Sequence, residues 1–312
     1  MADSPATPAA PAGGTADLGG LAVSRVGFGA MQLERLHDDR DAAVALLRRA
    51  AELGVNHVDT AEFYGDGFVN GVIRDAYRDR LDGSGDDGVI VVSKVGATPD
   101  SGRIPLRLAQ RPDELRASVE DNLRSLGVDR VPVVNLRRAD SGPGLRAEGE
   151  QIVDLDDQLA VMTALRDEGK IGAIGLSAVS LDTLRRALPA GIVCVQNSYS
   201  LVAREDEEVL KLCVAEGIAW VPFFPLGGAF PGLPKVTDEP DVRAAADALG
   251  ATPAQVGLAW LLHHTPNTVL IPGTADPDHL AANVAAGAVR LDPATLATLD
   301  AVPSRTGDIT FD

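Results

Sequence analysis

Two rhythms of apolar positions alternate along most of the chain. Short runs rich in β-branched residues, at 25–30, 55–59, 89–94, 132–137, 171–177, 191–197, 218–224 and 268–272, are mostly apolar on both parities. That is the pattern of strands buried on both faces. Between them stand longer stretches with apolar residues three and four apart. In 112–126 the stripe is Leu115, Val119, Leu123 and Leu126, with Pro112 in the first turn and Gly127 as the stop. Stretches 39–53, 154–168, 204–216 and 241–249 run likewise into Gly54, Gly169, Gly217 and Gly250, residues suited to the left-handed turn that ends a helix. Eight strand-then-helix units predict a single closed (β/α)8 barrel, the TIM-barrel architecture, with its active site at the C-terminal face of the strands. The competing arrangement is an open doubly wound sheet. Against it, Gly27-Phe28-Gly29-Ala30-Met31-Gln32 lacks the third glycine of a dinucleotide fingerprint. Residues 17–312 are assigned to the barrel and 1–16, Pro/Ala-rich at the start, to a disordered tail.

Composition narrows the function classes. The chain has 312 residues, 45% of them hydrophobic, enough for a sizeable core, and a formal net charge of −17. So acidic a surface argues against nucleic-acid and membrane-surface partners, while leaving room for a local basic pocket. No apolar run reaches the ~20 residues of a membrane span. The first residues lack the basic and apolar regions of a signal peptide. Cys194 and Cys213 both lie in apolar stretches, which suits a reducing, cytoplasmic setting. No Cys/His/acid cluster has zinc spacing, so no metal is expected. Oligomeric state is not legible.

The predicted strand ends carry the chemistry. They are Asp59, Lys94, Arg137, Ser177, Gln196 and Phe223, with Tyr64 five residues beyond Asp59. Only four of the 28 basic residues are lysines, and one of them, Lys94, closes the apolar run Val89-Ile90-Val91-Val92-Ser93. A lysine there is a compact charge that Asp59 can hold protonated. Its field favours the phenolate of a nearby tyrosine, which makes Tyr64 a candidate general acid. The alternative is a buried Lys–Asp pair that only tethers two strands.

At this point the residues carry a resemblance. Gly54-Val55-Asn56-His57-Val58-Asp59-Thr60-Ala61-Glu62-Phe63-Tyr64-Gly65 resembles the first signature of the aldo-keto reductase superfamily, and Val92-Ser93-Lys94-Val95-Gly96 its catalytic-lysine segment. Ile171-Gly172-Ala173-Ile174-Gly175-Leu176-Ser177 is similar to the fifth-strand motif and Val195-Gln196-Asn197-Ser198-Tyr199-Ser200-Leu201 to the sixth. Phe224-Pro225-Leu226-Gly227 is similar to the seventh, and Ile271-Pro272-Gly273-Thr274 with Asn283 to the eighth. The six motifs occur in order.

The resemblance implies reduction of a small-molecule aldehyde or ketone by hydride from a nicotinamide, NADPH by preference with NADH possible. It gives Tyr64 the proton donation, with Lys94 and Asp59 tuning it. It places Ser177 and Gln196 on the carboxamide and Phe223 under the nicotinamide ring, with Pro225 and Leu226 beside the cofactor. Gly273, Thr274, His279 and Asn283 fall on the adenosine-phosphate segment, where amides at the start of the helix after Asp276 can cradle a phosphate.

Three positions depart from the family pattern. Arg137 stands where a histidine is common; a guanidinium can stabilise an oxyanion or bind an anionic substrate group, but it cannot shuttle a proton. Ala178 replaces an asparagine, losing one carboxamide hydrogen bond. Gly273 and His279 stand where a lysine and an arginine are often found. The reading from a different class is a redox sensor that binds cofactor with negligible turnover.

Other residues receive plainer readings. His57 is expected to be a satisfied core residue, His263 and His264 a non-metal pair, and the acids Glu205 to Glu208 a helix-capping run. Met31, Phe63, Phe224 and Phe230 are candidate pocket walls. Arg103, Arg107 and Arg111 are expected to be solvated loop arginines.

Overall fold

A computed structural model describes residues 10–78, 80–81, 88–101, 106–142, 144–228 and 232–305. Eleven strands are formed among them: β1 (Thr15–Leu18), β2 (Leu21–Ser24), β3 (Phe28–Gly29), β4 (His57–Asp59), β5 (Ile90–Val95), β6 (Ala97–Pro99), β7 (Leu106–Leu108), β8 (Val131–Arg137), β9 (Ile171–Ser177), β10 (Ile192–Gln196) and β11 (Ala219–Trp220). Seven of them make one parallel sheet in the order β11-β10-β9-β8-β5-β4-β3. The eighth expected strand joins only through isolated bridges, Thr268 to Trp220 on one side and Leu270 to Val26 on the other. Backbone bonds from Val269 N to Trp220 O and from Leu270 N to Arg25 O, both 2.8 Å, complete the closure. Several strands are therefore shorter than their apolar runs, because the ends of those runs bend into loops.

Among the described residues ten α-helices surround the strands: α1 (Arg40–Glu52), α2 (Phe68–Tyr77), α3 (Pro112–Leu126), α4 (Leu155–Asp167), α5 (Leu181–Ala187), α6 (Glu207–Glu216), α7 (Pro240–Leu249), α8 (Pro253–His264), α9 (Pro277–Ala285) and α10 (Pro293–Asp300). Helix α3 has the expected bounds. Pro112 needs no amide partner in the first turn, Glu114 accepts from the Arg111 amide at 3.2 Å, and Gly127 leaves at φ 69°.

The two-residue period of the strands sorts side chains into two cores. Val89, Val91 and Val95 face the helices in the large outer core, whereas Ile90 and Val92 join Val133, Cys194, Val221 and Val269 inside the barrel. Interior packing follows layer by layer. Gly175 is required because a Cβ there would stand 1.9 Å from Asn135 Oδ1 and 2.6 Å from Cys194 Sγ. The antiparallel hairpin β1–β2 adds Leu18 and Val23 to the interior core at its N-terminal end.

That hairpin shortens the expected tail. Residues 1–9 lie outside the described residues, but Ala12 is buried, its amide bonds to Gly54 O at 3.2 Å, and Thr15 pairs with Ser24.

Candidate active site

Period-two alternation turns Asp59, Lys94, Ser177 and Gln196 to the barrel interior, each two residues beyond His57, Val92, Gly175 and Cys194 on its own strand. Register fixes the heights: Lys94 pairs with Asn135, Arg137 with Ser177 and Gln196 with Ser177. The Lys94 ammonium donates to Asp59 Oδ1 at 2.5 Å and to the Thr60 carbonyl at 2.9 Å, and lies 5.0 Å from the Tyr64 ring centroid. Gln196 Nε2 donates to the other oxygen, Asp59 Oδ2. Both carboxylate oxygens of a buried acid are thus engaged.

Burial alone would lower the Lys94 pKa, but the charge of Asp59, the neighbouring Tyr64 and hydrogen bonds to both outweigh it, so the ammonium is held above its ordinary value. Burial also pulls the Arg137 guanidinium below its ordinary value, and proximity to Tyr64 works the other way. The Arg137 Nε is buried without a partner. Among the described residues the Arg137 side chain forms no hydrogen bond and no ion pair, whereas the adjacent Arg138 binds Asp140 at 3.1 Å.

The Tyr64 ring is braced from behind. Phe63 meets it edge-on at 5.2 Å and packs with Ala61, Ala97 and Leu106, the last two from hairpin β6–β7. Backbone strain collects on the same rim. The four non-glycine residues with positive φ among those described are Asp66, in the loop after β4, and Ala139, Ala178 and Phe224, each within two residues of a barrel segment. Such conformations persist where the surroundings over-determine them, typically at functional sites. Ala178, at φ 52°, occupies a conformation that asparagine tolerates better than alanine.

Several expectations change. The acidic run opens α6 with Glu207 and Glu208 in its first turn, but the Asp206 side chain makes no cap hydrogen bond to the helix: its carboxylate accepts from Ser141 Oγ and Asn197 Nδ2, both at 2.9 Å, and Glu207 accepts from the buried Tyr199 hydroxyl. Burial raises the Asp206 carboxyl, opposed by those two bonds. Asp206 thereby ties the loop after β8 to the segment after β10, a role no local pattern announces. His57 is buried but not satisfied: neither ring nitrogen has a partner among the described residues, and burial lowers its pKa from 6.5 to about 4. The amides expected to cradle a phosphate are engaged, since Asp278 N and His279 N donate to Asp276 Oδ1 at 2.8 and 3.0 Å. Arg107 and Arg111 are solvent-exposed, as expected, though both also reach Glu114 at 3.5 Å. Arg103 and Phe230 lie outside the described residues.

The other sequence-derived positions are distributed around the rim. Ser177 and Gln196 are buried, and Gln196 Oε1 has no partner among the described residues. Phe223 is half-exposed and meets Phe224 edge-on at 5.0 Å, with Pro225 and Leu226 half-buried beside it. Gly273 is exposed and cannot carry a Cβ without meeting Gly29 O at 2.6 Å. Thr274 is buried, its Oγ1 accepting from Asp276 N at 3.0 Å; His279 is exposed and Asn283 half-buried. A cavity of about 620 Å³ opens at the opposite end of the barrel, against Gly19, Arg78, Arg130 and Gly172, and brings none of these groups together. Among the described residues no group of three or more His, Cys, Asp or Glu is placed to hold a metal, and no helix is long and apolar enough to cross a membrane.

The family model described as "Aldo/keto reductase family" matches residues 25–303. The chain belongs to the aldo/keto reductase family. It is 40% identical over 296 residues to the pyridoxine 4-dehydrogenase of Escherichia coli (strain K12), covering 92% of this chain and 98% of that one. It is also similar to an aldo/keto reductase from Klebsiella pneumoniae solved with NADP and acetate, at TM-score 0.73 and 26% identity over 93% of this chain and 96% of that one. A reductase of the same organism in complex with NADPH gives TM-score 0.74 and 26% identity, covering 91% and 93%. Membership makes this chain an oxidoreductase of carbonyl chemistry and accounts for the barrel.

Proposed function

We propose that this reductase converts an aldehyde or ketone to an alcohol with NADPH, Tyr64 donating the proton. The observation that carries this reading is the buried chain of contacts in which Gln196 and Lys94 hold the two oxygens of Asp59 while the Lys94 ammonium lies against Tyr64. A bound nicotinamide coenzyme supplies the hydride. Ser177 and the unpartnered Gln196 Oε1 suit its carboxamide, Phe223 offers a ring face, and 273–283 supplies the phosphate segment through Gly273, Thr274, His279 and Asn283. Tyr64 gives its proton to the alkoxide oxygen, and the charges of Lys94 and Arg137 stabilise the phenolate left behind. Asp59 keeps Lys94 protonated and fixed. Arg137, permanently charged, helps hold the carbonyl oxygen without entering proton transfer.

NADPH oxidation with a panel of aldehydes tests the reading, with pyridoxal, the 4-aldehyde of pyridoxine, included because a relative is named pyridoxine 4-dehydrogenase. Tyr64→Phe should lose about 10²–10⁴-fold in kcat while still binding NADPH. Equal inertness of wild type and Tyr64→Phe, with coenzyme bound by both, would leave a coenzyme-binding sensor instead.

A further inference from the structure

Behind the Lys94–Asp59 pair the outer face of the sheet stops being apolar. Val58, Val91 and Val95 point into the large core under the helices. Thr60 and Ser93 take that same side, each next in sequence to a residue turned inward, Asp59 and Lys94. Four fully buried polar side chains join there. The Thr60 hydroxyl donates to Asn70 Oδ1 on α2 at 2.8 Å. Asn70 Nδ2 donates to Asn122 Oδ1 at 3.1 Å and to Ser125 Oγ at 2.9 Å, both on α3. The Ser93 hydroxyl donates to the same Asn122 Oδ1, and Asn122 Nδ2 turns back to the Ser118 carbonyl at 2.8 Å. Every side-chain nitrogen and oxygen of the four is thereby engaged. Burying such groups costs free energy that valine and leucine in their places would not, and an apolar replacement of both partners is often neutral for stability. What apolar side chains cannot do is fix the rotation of a neighbouring peptide. That rotation matters at Thr60, whose carbonyl is the second acceptor of the Lys94 ammonium, at 2.9 Å.

We infer that Asn70 and Asn122 are positioning residues for the reaction: through Thr60 and Ser93 they hold the Lys94 ammonium on Asp59 and the Thr60 carbonyl, in the place beside Tyr64 that proton donation requires. The inference rests on the reductase reading above. Both asparagines lie outside the strands, so they act only through the residues they hold. The brace grips both strands of the pair at once, Thr60 at the end of β4 and Ser93 within β5.

Thr60→Val keeps the shape of the side chain and removes the hydroxyl. Its kcat should fall about two- to tenfold, the effect of one hydrogen bond, with the Kd for NADPH unchanged. The alkaline limb of the kcat profile, which reports the essential acid, should move to higher pH, because a loosened ammonium favours the phenolate less. Thr60→Ser, which restores the hydroxyl, should restore both. Asn70→Leu should repeat the effect, and the double variant should be no slower than the slower single one, since both break the same bond. The chain has only four lysines, so the Lys94 ammonium can be followed by NMR in protein carrying isotope-labelled lysine, with Lys94→Met assigning the signal. Its protons should exchange with water faster in Thr60→Val. Ser93→Ala, at the other end of the bonds, should do the same and carries the test if Thr60→Val does not fold. Unchanged ammonium exchange, or a lower kcat with its alkaline limb unmoved, overturns the brace and leaves the reductase standing. Faster exchange in the variants of a protein that binds NADPH but reduces no aldehyde keeps the brace and overturns the reductase reading.

Discussion

Single residues set the sharpest expectations. His57 is buried with no partner and its pKa falls from 6.5 to about 4. The unfolded chain therefore binds a proton in that window that the folded chain refuses. The contribution of neutral His57 is fully present above about pH 6.5 and is lost as pH falls toward 4, up to roughly 3 kcal/mol. His57→Gln should flatten the decline of the urea midpoint between those pH values relative to wild type, and an unchanged decline would contradict the assignment. The Asp59, Lys94 and Tyr64 set was legible in the sequence because a strand fixes which face each residue takes, and the resemblance supplied the partners. The empty ring nitrogens of His57, the solitary Arg137 and the latch at Asp206 were not legible. Each depends on what distant segments place, or fail to place, beside it.

Elements were readable where one face alone is buried. Helices α1, α3 and α4 follow apolar stripes and stop within a residue of the expected ends. Helix α8 buries Val256 through Leu262 without a break, so it shows no stripe and left no periodic signal. The hairpins β1–β2 and β6–β7 were missed because strands of four and three residues are too short to reveal a period. Gly175 shows how tightly the barrel elements mesh. Gly175→Ala would drive a methyl into Asn135 and Cys194 and should cost about 1–3 kcal/mol in denaturant unfolding. At α9 the first-turn amides are held by Asp276, and a carboxylate there opposes a phosphate. Asp276→Asn keeps a capping side chain and removes the charge; the Kd for NADPH should fall, and by more than the Kd for NADH, as measured by coenzyme fluorescence.

At the scale of the whole molecule, a net charge of −17 repels the anionic coenzyme that the site is proposed to accept. The field reaches ~30 Å at 10 mM salt and ~8 Å at 150 mM. The association rate of NADPH, followed by stopped flow, should therefore rise between those salt concentrations, opposite to the usual trend for oppositely charged partners. The KM of an uncharged aldehyde should hardly move.

The barrel's closure has a consequence for motion. Where neighbouring strands such as β8 and β9 share six residue pairs, residues 268 and 270 each contribute one bridge, leaving a seam that runs straight into the proposed phosphate segment. Amide protons along that seam should exchange with deuterium sooner than those of β8. Coenzyme lying across it would act as a clasp, slowing exchange most at the first and last barrel segments, far from each other in sequence.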